Sequence, residues 1–210
     1  MNQKRLRILG LVAVTAIVAV TSTTVRAADP SAALAESYRL HSLGDLAGAI
    51  KAMKGATDVA PHQYFMRLRL GYLQLLAGDY AGAADNYREA AEINLSAIEA
   101  RLGQQQSQLA LGKFEDSEKA GRLALKIDPK NYLASSRLAW SLMQRKHFKD
   151  AADQYTSILA LYPGDVDMRL GLANSLLGAG KKDDAAKAYQ EILSMVPGQK
   201  AASDGLLACR

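Results

Sequence analysis

A pattern that recurs every 34 residues is the strongest constraint on what this chain can fold into. One position of the pattern is glycine in four units, at Gly44, Gly78, Gly112 and Gly180. A second position always holds a small residue, at Ala49, Ala83, Ser117, Ala151 and Ala185. Proline ends four units, at Pro61, Pro129, Pro163 and Pro197. A period of this length indicates supersecondary units that bury their apolar sides by stacking on one another.

A 34-residue period with small residues, an aromatic residue and a late proline resembles the tetratricopeptide repeat (TPR). The resemblance covers roughly residues 30–199. It implies an all-α fold, a right-handed α-solenoid of about five helical hairpins with a short C-terminal capping helix. Each unit would hold a first helix (the A helix), a turn at the glycine and a second helix (the B helix). The predicted repeats are 30–63, 64–97, 98–131, 132–165 and 166–199, and residues 200–210 are predicted to form the cap.

Local chemistry supports these predicted helix ends, and only repeat four departs from the glycine pattern. Glycine can adopt the positive φ that ends a helix, and proline stops the helix before it. Lys146 replaces the glycine in repeat four, and we expect its turn to form with modest strain.

In repeat three, Gln104, Gln105 and Gln108 stand where the other repeats carry mostly apolar or small residues. Either they bond one another or this junction is loose, and we expect a bonded cluster with some local softness.

Residues 1–27 have the layout of a secretory signal peptide. Lys4, Arg5 and Arg7 precede an apolar run over residues 8–20, and Ala27 or Ala28 ends the segment with small residues nearby. The run is short for spanning a bilayer, so we expect cleavage, with an uncleaved anchor over residues 8–25 as the alternative. Both alternatives predict an exported bacterial protein, either periplasmic or anchored in the inner membrane and facing the periplasm. Membrane contact is expected only through residues 8–25 of an uncleaved chain.

Charge and residue usage argue against nucleic-acid binding and catalysis. The full chain has a net charge of +5, but removing Lys4, Arg5, Arg7 and Arg26 leaves 22 Lys and Arg against 21 Asp and Glu, or +1. That balance offers no cationic surface for phosphates, so no nucleic-acid partner is expected. The single cysteine, Cys209, can form no intrachain disulfide.

The sequence also lacks the motifs of common enzymes. The three histidines follow no zinc-binding spacing, there is no G-x-S-x-G, and residues 178–181 lack the full phosphate-loop pattern. We therefore expect no catalytic residues, metal site or cofactor, and a non-catalytic protein.

The TPR resemblance implies a concave groove lined by the A helices, where ligands of this family usually sit. The ninth position of each A helix faces it, at Tyr38, Tyr72, Gln106, Trp140 and Asn174. The second and sixth positions add Phe65 with Arg69, and Leu133 with Arg137. Exposed aromatic and arginine side chains dominate many protein interfaces, so these nine residues are the candidate partner-binding groove. The alternative is that they only shape the superhelix. The Lys and Asn clamp of chaperone-binding TPR domains is absent.

The resemblance therefore implies a scaffold or adaptor of the bacterial cell envelope that binds a segment of a partner protein in this groove. The alternative function is a membrane-anchored accessory protein or holdase chaperone of an export or envelope assembly system. An enzyme of unrecognised type is a third possibility. The expected partner is a protein or peptide, and the expected state is a monomer or a weak homo-oligomer.

Overall fold

A computed structural model describes residues 29–60 and 63–210 of the chain, and this part is helical throughout apart from short turns. The helices, in chain order, are α1 (Pro30–Ser42), α2 (Leu46–Val59), α3 (Tyr64–Leu76), α4 (Tyr80–Ile93), α5 (Ile98–Ala110), α6 (Phe114–Ile127), α7 (Tyr132–Gln144), α8 (Phe148–Leu161), α9 (Val166–Gly178), α10 (Lys182–Met195) and α11 (Lys200–Ala208). Each helix packs against the next, and the prediction of an all-α solenoid is confirmed. The signal peptide prediction, Pro61 and His62 lie outside the described residues.

The helices alternate regularly in length and in packing. From α1 to α10 the A helices have 13 residues and the B helices have 14. Along the array, α3, α5, α7 and α9 also contact one another in sequence. The A helices therefore form one continuous face. Among residues 29–60 and 63–210, no helix has the length and apolar character needed to cross a bilayer.

The turn after each A helix has the same backbone geometry in five repeats. In repeat two, Gly78 has a φ of +78°, and the Asp79 N–H donates to the Gln74 carbonyl at 2.9 Å. The equivalent bond measures 2.9 Å in the other four turns. This bond closes the left-handed helix end that glycine favours. Lys146 adopts the same conformation with a φ of +61°, so the turn predicted there is confirmed.

The small residues of the repeat pattern lie where A and B helices meet. All five side chains at the second position, from Ala49 to Ala185, are fully buried. Larger side chains fill the space around them, with Leu73 in one buried cluster and Tyr189 with Ile192 in another. Helix α11 closes the end of the array, because Ala202 is fully buried against the cluster that holds Tyr189.

Repeat three is held together by small and polar side chains instead. Helix α6 buries only Ser117, Ala120, Gly121 and Ala124. The Ser117 and Ser141 hydroxyls hydrogen-bond at 2.9 Å in this region, and both side chains are fully buried. Small and polar side chains therefore make up the buried face of α6 at the seam between repeats three and four.

The expectation that the three glutamines bond one another is wrong. Gln105 is fully buried, and its Nε2 donates to the Ala134 carbonyl at 3.1 Å. Gln104 accepts instead from Arg101 at 3.4 Å, and Gln108 Oε1 is buried with no partner in the described chain. Gln104 and Gln105 are adjacent in α5 and point in different directions, so their amides meet different partners. The Gln105 Oε1 is likewise buried and unpartnered.

Candidate functional site

A groove of about 570 Å³ opens between the A helices of the first three repeats. Its lining comes from α1, α3 and α5, with one side chain from α4. The lining residues are Leu34, Tyr38, His41, Phe65, Leu68, Arg69, Tyr72, Tyr87 and Glu99. Four of the nine predicted groove residues (Tyr38, Phe65, Arg69 and Tyr72) lie in it, and they bring three aromatic rings and one guanidinium together.

One face of α3 supplies the centre of this groove. Phe65, Arg69 and Tyr72, which we call the first patch, follow one another at helix spacings of four and three residues and so point the same way. Phe65 is 67% exposed and Tyr72 is 40% exposed. Tyr38 of α1, 56% exposed, lies beside them. Large apolar rings that reach solvent in a concave surface are available to a partner.

Arg69 is buried, although the sequence predicted an exposed side chain. Only 7% of it reaches solvent. Its Nε and Nη2 donate to the hydroxyl and the carbonyl oxygen of Ser37, each at 3.2 Å. Its Cζ lies 3.9 Å from the Tyr38 ring centroid and 5.6 Å from that of Tyr72. Arg69 therefore joins α1 to α3 and orders the two tyrosines by cation–π contact.

The charge of Arg69 has no carboxylate partner in the described chain. It donates to the Ser37 oxygens, and His41 Nδ1 lies 3.4 Å from Nη2. The His41 ring also meets the Tyr72 ring edge-on, with centroids 6.0 Å apart. His41, which is not among the nine groove residues predicted from the sequence, is therefore part of the groove wall.

Tyr87 enters the groove from the B helix α4, although it is not among the groove residues predicted from the sequence. Its ring packs against the backbone of Gly71 and Gly103, on the A helices either side of it. Tyr87 is only 5% exposed, and burial is the main cause that raises its pKa to about 12. The signal in the sequence was Gly103, because a missing side chain on an A helix leaves room for a ring from the repeat before.

The packing of a B-helix tyrosine against an A-helix glycine explains where the groove arginines occur. The sixth position of an A helix is glycine after each repeat whose B helix carries a buried tyrosine: Gly103 follows Tyr87, Gly171 follows Tyr155, and Gly205 follows Tyr189. Where the B helix carries Met53 or Gly121 instead, the next A helix has Arg69 or Arg137. The arginines thus stand at the two seams that lack a tyrosine.

A second patch of the same kind lies on α7, consisting of Leu133, Arg137 and Trp140. Leu133 is 48% exposed and Trp140 is 46% exposed. Arg137 donates through Nη1 to the Leu102 carbonyl at 3.1 Å and through Nη2 to Gln106 Oε1 at 3.0 Å. Desolvation lowers the pKa of Arg137. Gln106, another predicted groove residue, therefore belongs to this patch as the acceptor of Arg137.

The last predicted residue, Asn174, lies apart from both patches on α9. It is exposed, and its Oδ1 accepts from the Tyr189 hydroxyl at 2.6 Å. This hydrogen bond orders the core residue Tyr189, and no aromatic side chain of the groove contacts Asn174 among the described contacts. Within the described ranges, no group of three or more His, Cys, Asp or Glu side chains is placed to hold a metal ion.

Comparison with known proteins identifies what the repeats are similar to. A family model described as "Tetratricopeptide repeat" matches residues 34–98 and 136–202. The unmatched stretch between them includes most of the polar repeat three. No curated protein matches the chain.

Solved structures share the fold at low identity. The MamA protein is 17% identical with a TM-score of 0.74, over 79% of this chain and 91% of that one. YrrB, described as a TPR protein with an unusual peptide-binding site, is 13% identical with a TM-score of 0.75, over 84% and 91%. A tetratricopeptide repeat protein from Parabacteroides merdae ATCC 43184 is 21% identical with a TM-score of 0.73, over 86% and 72%.

Proposed function

Because this chain belongs to the tetratricopeptide repeat family, we propose that it is a non-catalytic scaffold whose A-helix groove binds an extended segment of a partner protein. One observation carries the proposal. The exposed rings of Tyr38, Phe65 and Tyr72 meet the guanidinium of Arg69 in one groove of about 570 Å³. Aromatic and arginine side chains of this kind form the energetic centre of many interfaces.

The rigidity of the first patch supports binding over a purely structural role. Arg69 is fixed by Ser37, so the Tyr38 and Tyr72 rings are held in place before a ligand arrives. A surface ordered in advance loses less conformational entropy on association. The described peptide-binding site of YrrB, which has the same fold, is consistent with a peptide as the ligand class.

For the location, we propose that the scaffold works outside the cytoplasm, in the bacterial cell envelope. The support is the sequence of residues 1–27, with its basic start and apolar run. The mass of the mature N-terminus in cells tests this. A chain that begins near residue 28 indicates a periplasmic scaffold. An intact residue 1 in a membrane fraction indicates the anchored accessory protein or holdase chaperone.

Site-specific photo-crosslinking in cells tests the groove itself. A photoreactive amino acid replaces Phe65, which is 67% exposed in the groove, and in the control it replaces Leu95, 71% exposed outside the groove lining. We expect a discrete protein adduct from position 65 and none of that mass from position 95. Adding Tyr72→Ala to the position 65 variant should reduce the adduct. Equal adducts from both positions, or none from position 65, would contradict the proposal.

A further inference from the structure

The two groove patches are copies of one arrangement, two repeats apart. Phe65, Arg69 and Tyr72 of α3 correspond to Leu133, Arg137 and Trp140 of α7, each pair separated by 68 residues. Each patch presents an apolar side chain, a guanidinium and an exposed ring along one helix face. Repeat three lies between the patches and carries Gly103 and Gln106 at the equivalent positions. The A-helix face therefore has two similar patches, one in the groove and one on α7, separated by the A helix α5.

Both patches hold a positive charge without a negative partner in the described chain. Arg69 bonds the Ser37 oxygens, and Arg137 bonds the Leu102 carbonyl and Gln106. By contrast, other arginines pair with carboxylates, as in Arg39–Glu36, Arg67–Glu89, Arg145–Glu118 and Arg169–Glu191. A charge removed from water without a counter-ion is unfavourable, so an incoming carboxylate would complement each patch.

The one carboxylate among the groove-lining residues is already engaged elsewhere. Glu99 lies on α5 and interacts with Tyr64, whose pKa is raised by burial first and by Glu99 second. The structure gives Glu99 no ion pair with Arg69 among the described contacts. Arg69 therefore lines the groove, largely buried, with its charge uncompensated by a carboxylate among the described contacts.

The distance between the patches sets the length of a ligand that reaches both. The A helices α3, α5 and α7 contact one another in order. Packed helices lie about 8–10 Å apart, so the two patches are separated by roughly 16–20 Å. An extended chain advances about 3.3–3.6 Å per residue, which makes this separation about five or six residues.

We propose that the groove binds one extended acidic peptide segment with two anchor units about six residues apart. Each unit is an apolar side chain next to an Asp or Glu: the apolar group packs on Phe65 and Tyr72, or on Leu133 and Trp140. The carboxylate lies against Arg69 in the first patch and Arg137 in the second. This inference rests on the proposed function of the groove and specifies its ligand.

Fluorescence anisotropy with defined peptides tests the inference on the full-length protein. The probes are labelled peptides with two Leu-Glu units in Gly-Ser sequence, at unit spacings of about two, six and twelve residues, and a peptide with one unit. The matched control replaces both Glu with Gln. We expect the peptide with the six-residue spacing to bind about tenfold or more tighter than the one-unit peptide, because its second unit binds at a high effective concentration.

Variants of exposed residues separate the patches without removing the bonds that hold the fold. Phe65→Ala and Trp140→Ala should each reduce the six-residue-spaced peptide to the affinity of the one-unit peptide. Leu95→Ala, outside the groove, should leave its affinity unchanged. Thermal unfolding of all three variants checks that the array is intact.

Three outcomes overturn the inference. Equal binding of the Glu and Gln peptides removes the acidic requirement, and equal binding at all spacings removes the two-patch requirement. The third outcome is tested by selecting peptides that bind the protein from a random displayed library. Groove-dependent peptides that are not enriched in Asp or Glu overturn this inference and leave the groove function standing. If the library yields no peptide sensitive to Phe65→Ala or Trp140→Ala, and position 65 gives no crosslinked adduct, both proposals fail.

Discussion

The ring of Tyr87 lies directly over the backbone of Gly103, across the seam between repeats two and three. A Cβ at position 103 would come within 2.4 Å of the ring carbons Cε1 and Cζ. Tyr155 has the same relation to Gly171, and Tyr189 to Gly205. The same contact therefore occurs at three of the seams between neighbouring structural units, and at the first of them it also places a ring in the groove wall.

Replacing Gly103 with alanine should destabilise the array by about 1–3 kcal/mol, because the buried Tyr87 ring must move to admit a methyl group. Urea unfolding followed by circular dichroism measures the change. The matched control is Gly55→Ala in α2, where an added Cβ meets no atom within 4 Å. That control should be neutral or stabilising by up to about 1 kcal/mol. Equal effects of the two substitutions would show that the ring contact is unimportant.

Arg69→Ala should lower the free energy of unfolding by about 1–3 kcal/mol, since it leaves the buried Ser37 carbonyl without its guanidinium donor. Hydrogen exchange should speed up most in α1, because that helix is held to α3 through this bond. Arg39→Ala is the control, an exposed residue paired with Glu36 within one helix. Its effect should be within about 0.5 kcal/mol. No change in α1 exchange for Arg69→Ala would contradict a bracing role.

Gln105→Met should raise the free energy of unfolding by about 1 kcal/mol. The substitution removes a buried Oε1 that has no partner and keeps a side chain of similar length. Chemical denaturation of the two proteins measures the difference. Gln104→Met, at a half-buried position whose Oε1 accepts from Arg101, should change stability little. A clear loss of stability in Gln105→Met would show that the bond to Ala134 outweighs the unpartnered oxygen.

Stability should fall as the pH rises from about 10 to about 12. A hydrogen bond to Asp165 at 2.7 Å raises the pKa of Tyr132 to about 12, from an ordinary value of 10.0. Above the unfolded pKa, the unfolded chain loses this proton while the folded chain retains it, so alkali favours unfolding. Tyr132→Phe should flatten the fall, measured as urea unfolding at several pH values. Tyr80→Phe, at an exposed position, should not.

The repeat frame could be predicted from the sequence because it depends on local chemistry. The turn at Gly78 and the tolerated turn at Lys146 follow from backbone conformation alone, and both have the expected positive φ. The buried small residues, such as Ala83, were visible for the same reason: they recur at a fixed step wherever two helices approach closely. The groove positions of Tyr38 and Tyr72 follow from the frame, because helix spacing sets which residues share a face.

Contacts between repeats could not be predicted in this way. His41 and Tyr87 line the groove, yet neither is among the nine groove residues predicted from the sequence. Gln105 was expected to bond its neighbours, and it bonds Ala134 on the next A helix instead. Such partners are about 30 residues apart, so no local pattern selects them.

The sequence alone therefore predicted the architecture, since its 34-residue period and the residues at its helix ends resemble the stacked helical pairs of the TPR family. Tertiary structure decided what the groove is made of. Arg69 is buried between α1 and α3 because Ser37 offers two oxygens there, and the Tyr38 ring packs on its guanidinium. A helix face predicts where a side chain starts, but the neighbouring repeat determines whether its charge meets water, a carbonyl or an aromatic ring.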